Sequence, residues 1–563
     1  MSMAAADWWR GAVIYQIYPR SYADDSGDGV GDLAGIARRL DHVARLGADA
    51  VWIAPFFRSP MKDFGYDVED YRDVDPLFGR LADFDRVVKT AHALGLKVLI
   101  DQVVSHTADT HPWFRESRAS RDNPRADWYV WADPKPDGSP PNNWLSVFGG
   151  PAWQWDTRRR QYYLHNFLAS QPDLNYHQPA VRRAVLADMR FWLERGVDGF
   201  RLDTTNYYVH DARLRDNPPL HGDAAASPTA ANPYDMQAHV HDKNRPETLG
   251  FLEEVRALLD EFGAVSVGEV GDADALRTMV DYTAGGRRLH MTYSFSMLSP
   301  DRRVAHLRRQ VEQFEAAAAG TGSWACWTIG NHDAVRVMTR WGGEHEADPA
   351  GFLRVTMAML LSLRGSVCWY QGDELGLPQA RLPFEALRDP AGIAFWPEYP
   401  GRDGCRTPMP WQADAPHAGF SGGADVAPWL PVPEAHRPRA VDACEADPAA
   451  PLHFLRALLA WRRSFPALLT GAIRFLDAPE PVMALVREAP QPRLGPSLLV
   501  VLNLGPDAVE VEIAGAPAGV AMALPALPPA QQGRRHGTHG TRFTLPPHGI
   551  HVGALSQEER HDG

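Results

Sequence analysis

The sequence predicts an α/β fold: a (β/α)8 TIM barrel with an irregular domain inserted after strand 3 and a C-terminal antiparallel β-sandwich. Three observations carry this expectation. Eight short apolar, β-rich segments recur between residues 13 and 374. Stretches of helical periodicity separate most of them. The segments are continuously apolar rather than alternating, as strands of a parallel sheet covered on both faces are.

In order, the strands are VIYQIYP (13–19), AVWIAP (50–55), KVLIDQVV (97–104), VDGFRLDT (197–204), AVSVGEV (264–270), MTYSFSM (291–297), CWTIGNHD (326–333) and VCWYQGDE (367–374). Between the first two, LAGIARRLDHVARLG (33–47) spaces its apolar residues along one helix face and stops at a glycine. AVRRAVLADMRFWLERG (180–196) and TLGFLEEVRALLDEFG (248–263) follow the same rule. Residues 107–177 break the rhythm. They hold no long helical pattern and are dense in aromatics, so they read as a small domain on the active face of the barrel. Past residue 470, RFLDA, PVMALVRE, SLLVVLNLG and VEVEIAG are short strands punctuated by Pro and Gly, the pattern of a sandwich. The expected boundaries are 1–106 and 178–470 for the barrel, 107–177 for the insert and 471–563 for the sandwich. Residues 214–247 and 378–450 read as long loops.

At 563 residues the chain has room for two or three domains. A formal charge of −13 gives no support to nucleic-acid binding. No run approaches the ~20 apolar residues that span a bilayer. The N-terminal MSMAAADWWRGAVIYQIYP lacks a basic stretch followed by an apolar core, so no secretory leader is expected. Cys326, Cys368, Cys405 and Cys444 fit no zinc pattern and are expected as reduced thiols in a cytoplasm. The expected assembly is a monomer or homodimer.

Polar residues close these strands. Strand 3 gives Asp101 and His106, strand 4 Arg201 and Asp203, strand 5 Glu269, and strand 7 Asn331, His332 and Asp333; GYD after strand 2 adds Tyr66 and Asp67. In a barrel these ends converge on the C-terminal face, where barrel active sites lie. A single strand-end Asp is more often a helix cap or ion-pair partner. A ring of carboxylates spread over several strands repels itself, and chemistry is the reason to keep it. The chemistry it suits is retaining glycoside transfer, with a carboxylate nucleophile and a protonated carboxylic acid ~5 Å apart. Arg201, on the same strand face as Asp203, would keep that carboxylate ionised. Negative charge around Glu269 would hold it protonated.

At these residues the sequence resembles the α-amylase superfamily, glycoside hydrolase family 13, over nearly its whole length. The motifs are DQVVSH (101–106), GFRLDTTN (199–206), VGEV (267–270) and IGNHD (329–333), in family order. QPDLN (171–175), GRDGCRTPMPW (401–411) and WYQGDELG (369–376) resemble the oligo-1,6-glucosidase and α-glucosidase group. The resemblance implies Asp203 as nucleophile, Glu269 as acid/base and Asp333 as the third carboxylate, gripping sugar hydroxyls most strongly in the transition state. It implies Arg201 orienting the nucleophile, His106 and His332 bonding the reacting sugar, and Tyr66 stacking on it. Asp67 with Arg406 would close the non-reducing end, with Arg402 also in the substrate-binding set. Phe148 and Phe167 would line the mouth or pack in the insert's core. The substrate implied is a short oligosaccharide or α-glucoside, with a sugar or alcohol as acceptor and no organic cofactor.

One departure qualifies the resemblance. The family's usual Asn before His106 is Ser105, which argues against the calcium site of the amylases. Instead DDSGDGVGD (24–32) places oxygens at alternating positions, Asp24, Ser26, Asp28, the Val30 carbonyl and Asp32, resembling the metal loop of the α-glucosidase group. One structural Ca2+ or Mg2+ is expected there; a metal-free Gly/Asp turn is the alternative. It is not an EF-hand, since its twelfth position is Gly35 and no helix precedes it. Thr204, following the nucleophile, accompanies α-1,4 preference in this group, so maltose is expected over isomaltose. The competing enzymatic reading is a transferring or isomerising relative acting on sucrose or trehalose. A non-catalytic transporter subunit is the competing reading from another class, and those members carry an anchor and have lost catalytic carboxylates.

Overall fold

The computed structural model describes residues 7–220, 232–423 and 425–555. It contains the eight expected strands: β1 (Val13–Ile17), β2 (Ala50–Ile53), β3 (Lys97–Gln102), β4 (Gly199–Leu202), β5 (Val265–Val270), β6 (Met291–Ser294), β7 (Cys326–Trp327) and β8 (Ser366–Tyr370). They pair in the order β6-β5-β4-β3-β2-β1-β8-β7, all parallel. A parallel bridge between Thr292 and Ala325 joins β6 to β7 and closes the ring. The helices that follow the strands are α1 (Leu33–Leu46), α2 (Leu81–Ala93), α3 (Pro179–Glu194), α4 (Thr248–Phe262), α5 (Ala275–Thr283), α6 (Val304–Ala318), α7 (Pro349–Ser362) and α8 (Pro451–Arg462).

The apolar strands have two jobs, which is why they do not alternate. Ile14, Ala50, Trp52, Leu99, Val267, Met291, Tyr293, Cys326 and Cys368 fill the barrel interior, and Trp9 and Trp324 pack with them. Their sequence neighbours, such as Val13, Val51, Val98, Ile100 and Phe200, face outward into the layer shared with the helices. Cysteines 326 and 368 lie 3.4 Å apart as free thiols inside the barrel. The glycine read as the stop of α1 performs that role: Gly47 sits at φ 98°, and its N–H donates to the carbonyls of Ala44 and Val43.

The structure shortens β6 and β7 relative to the sequence reading. Phe295–Leu298 turn as a 3-10 helix, and the segment after Trp327 leaves the ladder. The residues that leave include Asn331, His332 and Asp333, so the lost strand is the site-bearing loop. The aromatic segment after β3 contains a helix, Pro112–Ala119, and a three-stranded antiparallel sheet of Trp131–Ala132, Gln161–Leu164 and Trp153–Asp156. After residue 472, a five-stranded and a three-stranded antiparallel sheet enclose a core of their own: Leu476, Val482, Ala484, Val486, Leu499, Val501, Val511, Phe543 and Leu545. Four of those strands, Gly519–Met522, Arg534–Arg535, Arg542–Leu545 and Ile550–Leu555, lie in polar, Pro- and Gly-rich sequence that periodicity did not reveal. The loop reading of 214–247 falls partly outside the described residues. Within 378–450 the chain forms short helices, including Pro390–Ala394 and Val441–Ala446. No described helix is long and apolar enough to cross a membrane.

Candidate active site

At the C-terminal ends of β3, β4, β5 and β7 a cleft of about 1020 Å³ opens beside the insert. Its floor is organised by Arg201, which is fully buried. One guanidinium nitrogen donates to Asp101 at 2.8 and 3.0 Å and to Asp203 at 2.6 Å. The other lies 2.5 Å from Glu269 and donates to the Tyr293 hydroxyl at 2.8 Å. Tyr293 donates in turn to Glu269 at 2.8 Å. The indole of Trp52 lies 4.8 Å from the guanidinium carbon and donates to Asp101 at 3.1 Å.

Arg201 pairs with Asp203 as expected and, beyond the expectation, is shared with Asp101 and Glu269 as well. Register explains the crowding. Val267 pairs with Arg201 and Gly268 with Leu202, so the next step sets Glu269 opposite Asp203 on neighbouring strands. Adjacent strands are about 4.8 Å apart, so residues opposite each other on them are near neighbours.

Thr204 holds both groups. Its backbone N–H donates to Glu269 at 3.2 Å and its hydroxyl to Asp203 at 3.2 Å. To do so it adopts φ 43° and ψ 47°, a left-handed conformation costly for a β-branched residue. Ser105, the departure from the family motif, bonds both the Thr204 hydroxyl and His106 Nδ1 at 2.9 Å.

Asp333 is held from behind. Arg406 donates to it at 2.7 Å and Arg402 at 3.3 Å, and His332 Nε2 lies 3.2 Å away. Tyr66 stacks on His332 with ring centroids 5.3 Å apart, and its hydroxyl bonds His332 and Asp101. His106 Nε2 is set against the Tyr66 carbonyl at 2.8 Å. Phe148 and Phe167 line the cleft, with Phe148 under Arg402 and Phe167 against His106.

The expected Asp67–Arg406 pair is not formed. Asp67 is fully buried and accepts from Ser59 Oγ, Lys62 N and Asp63 N, away from the cleft. Arg406 is equally buried, behind Asp333. The residues that meet in the cleft are Asp63 and Arg402, 3.0 Å apart, with Asp389 bracing Arg402 at 2.7 Å. The cause is a tight reversal after the hairpin strand Phe57–Arg58: Met61, Phe64 and Gly65 all have positive φ, which turns Asp63 toward the cleft and Asp67 away from it. Gln171 then donates to Asp63 at 3.1 Å. Asp63, Gln171, Asp389, Tyr293 and Trp52 were not picked out from the sequence. Two aspartates four residues apart were the available signal for Asp63, and the turn between them decided which lines the cleft.

Burial pushes the Asp203 carboxyl up to about 7, with Arg201 opposing and Asp101 reinforcing the rise. Burial likewise pushes Glu269 up to about 7, against Arg201 and with the charge of Asp203. Burial acts upward on Asp333 too, but His332, Arg402, Arg406 and Arg201 hold it well below the usual carboxylate range. Burial lowers His332 to about 3 and His106 to about 4, so both are neutral imidazoles at pH 7. Asp333 is thus held ionised, while burial pushes three carboxyls on Arg201 upward, Asp203 and Glu269 to about 7 and Asp101 to about 6.

The 24–32 loop closes on its own hydrogen bonds. Asp24 accepts from Gly27 and Gly29 N–H groups, Asp28 from Val30, and Asp32 from Asp25, Ser26 and Gly35. The ligand atoms would all be hard oxygens, which suits Ca2+ or Mg2+, but Asp32 Oδ2 already accepts from two N–H groups and Asp24 Oδ1 from the Gly27 N–H and the Ser26 hydroxyl. Among the described residues no three acidic, histidine or cysteine side chains gather as a metal cluster. Asp24, Asp28 and Asp32 therefore do not converge on one point in this arrangement; a cation would have to draw them together, with the Ser26 hydroxyl and Val30 carbonyl completing its shell.

Residues 16–471 match the family described as Alpha amylase, catalytic domain. A probable alpha-glucosidase from Rhizobium meliloti (strain 1021) is 57% identical over 490 residues, covering 85% of this chain and 87% of that protein. An oligo-1,6-glucosidase from Parageobacillus thermoglucosidasius is 36% identical, covering 84% and 87%. The crystal structure of an alpha-glucosyl transfer enzyme, XgtA, superimposes with a TM-score of 0.91 at 52% identity, covering 98% of this chain and 99% of that one.

Proposed function

Because the chain belongs to the α-amylase family and is a glycoside hydrolase of the glucosidase or transglucosylase kind, we propose that it is a retaining, exo-acting α-glucosidase working by double displacement. The observation that carries this is Asp203 facing Glu269 across paired strands, both on Arg201. Asp203 attacks the anomeric carbon while the Glu269 proton passes to the leaving oxygen; Glu269 then takes a proton from the incoming water or alcohol. Asp333, held ionised, grips the sugar hydroxyls as positive charge develops on the ring. The Asp63–Arg402 pair walls off one side of the donor pocket, which supports action at a chain end. NMR of the first-formed glucose tests the scheme: the α-anomer is expected, and β overturns it.

The kcat/KM profile is expected to be bell-shaped, with both limbs near pH 7. Activity falls on the acid side as Asp203 gains a proton and on the alkaline side as Glu269 loses one. A plateau spanning pH 5 to 9 would contradict the shared titration. Thr204 supports α-1,4 preference, so maltose is expected to exceed isomaltose in kcat/KM; equality or reversal overturns that reading. A Ca2+ or Mg2+ ion bound by Asp24, Ser26, Asp28, Val30 and Asp32 is proposed as a structural clip. EDTA is then expected to lower the Tm by several degrees, restored by excess cation; no shift removes the cation. The four free, buried cysteines support a cytoplasmic setting.

A further inference from the structure

Gln16 is a polar side chain in the apolar strand β1, buried and outside the cleft lining. It shares a strand face with Ile14, which fills the barrel interior, and stands one layer nearer the catalytic end. Its carboxamide nitrogen lies 2.7 Å from Nδ1 of His332. The His332 ring is fixed in place, with Tyr66 and Tyr18 stacked on it at centroid distances of 5.3 and 5.6 Å. Only its proton is free to sit on either nitrogen. Burial keeps the imidazole neutral at pH 7, so it has one N–H and one bare acceptor. Nε2 lies 3.2 Å from the ionised Asp333, where a bare lone pair would meet a carboxylate. The proton therefore sits on Nε2, and Nδ1 accepts from the Gln16 amide. The Tyr66 hydroxyl, 2.6 Å from Nε2, accepts there and so donates its own proton to Asp101 at 3.1 Å.

Resting on the α-glucosidase reading, we infer that Gln16 is a positioning residue that holds His332 in the tautomer presenting an N–H to the cleft. It thereby sets the direction of a hydrogen-bond chain running from Gln16 through His332 and Tyr66 to Asp101. That chain ends on the network of the reaction, because Arg201 joins Asp101 to Asp203 and Glu269. With the proton on Nδ1 instead, Tyr66 would donate to Nε2 and Asp101 would lose a donor. A sugar hydroxyl reaching His332 would then find no N–H. The amide is informative also in what it leaves unused. Gln16 Oε1 is buried with no hydrogen-bond partner among the described residues, and such an oxygen costs stability. Position 16 keeps it because the same side chain supplies an N–H without bringing a charge. A leucine supplies no donor, and a carboxylate can only accept.

The test uses the full-length enzyme. Neutron diffraction from crystals grown in D2O at pH 7 is expected to show deuterium on His332 Nε2 and none on Nδ1; deuterium on Nδ1 overturns the inference. Kinetics on maltose test the role. Gln16→Leu is expected to lower kcat/KM about tenfold at every pH, with the far-UV circular dichroism spectrum unchanged. Gln16→Glu keeps the shape, but its ionised carboxylate only accepts, so the ring's one proton moves to Nδ1 and Nε2 is bare. A second proton, on the ring or on the new carboxyl, returns the N–H to Nε2. The ratio of Gln16→Glu to wild type is therefore expected near one at pH 5.5 and to fall about tenfold by pH 9. Asp333, Tyr66 and Tyr18 beside the ring, and Arg201, Arg402 and Arg406 around it, are common to both proteins, so the ratio reports position 16 alone. Gln16→Leu within twofold of wild type, or a flat Gln16→Glu ratio, overturns the role. A wild type that turns over no α-glucoside overturns the α-glucosidase reading instead, and the neutron map still decides the tautomer.

Discussion

Asp203→Asn is expected to lower kcat on maltose by at least ~10^4-fold, the scale on which enzymes lose activity with their nucleophile. The carboxamide keeps the shape of the side chain. Its oxygen can still accept from Arg201, and its nitrogen can reach the Thr204 hydroxyl, so the 2.6 and 3.2 Å contacts survive. Arg201 retains Asp101 and Glu269 as counter-charges. The far-UV circular dichroism spectrum is therefore expected to be unchanged while turnover disappears. Azide added to Asp203→Ala should yield the β-glucosyl azide, because a small anion then attacks from the vacated face. Substantial maltose turnover with a native spectrum would remove Asp203 from the nucleophile role.

Glu269→Gln is expected to separate substrates by their leaving groups. Proton transfer by a positioned acid is worth ~10^2 to 10^4-fold, so maltose turnover should fall by about 10^3-fold. Fluoride leaves without protonation, so glucosylation by α-D-glucosyl fluoride should fall far less. Release of the glucosyl group then becomes slow, because no base activates water. Azide should rescue this step and give the α-glucosyl azide, the opposite anomer from the Asp203 variant. Equal losses on maltose and glucosyl fluoride would rule out Glu269 as the acid. The two anomers together distinguish the roles of residues that share one arginine and whose carboxyls burial pushes up to about 7 alike.

Several features were legible because each is a local property of the chain. Strand segments announce themselves through continuous apolar runs, and α1 through its helical spacing and terminal glycine. The Arg201–Asp203 pair was conspicuous because charge inside an apolar strand requires a partner. Other features were not local. Asp67 and Asp63 are both acidic and both near Tyr66; three positive-φ residues decide between them. Arg402 and Arg406 lie in one short segment, and which lines the cleft depends on a 3-10 turn, Asp403–Cys405. The C-terminal strands from residue 519 onward form because their neighbours offer backbone partners and an apolar face, not because their own sequence is strongly periodic.

The sequence by itself determined the barrel, the aromatic insert after its third strand, and the set of acidic side chains at the strand ends. Burial periodicity and the cost of isolated charge act residue by residue along the chain, and both can be read there. The tertiary structure decided how those charges are shared. Strand register sets Glu269 opposite Asp203, so one guanidinium answers three carboxylates at once. It also decided that Asp63 and Arg402 meet in the cleft, and that aromatic rings from residues 295 and 395–399 face the same cleft. Distances across strands depend on register and loop closure, and neither is written in any one segment.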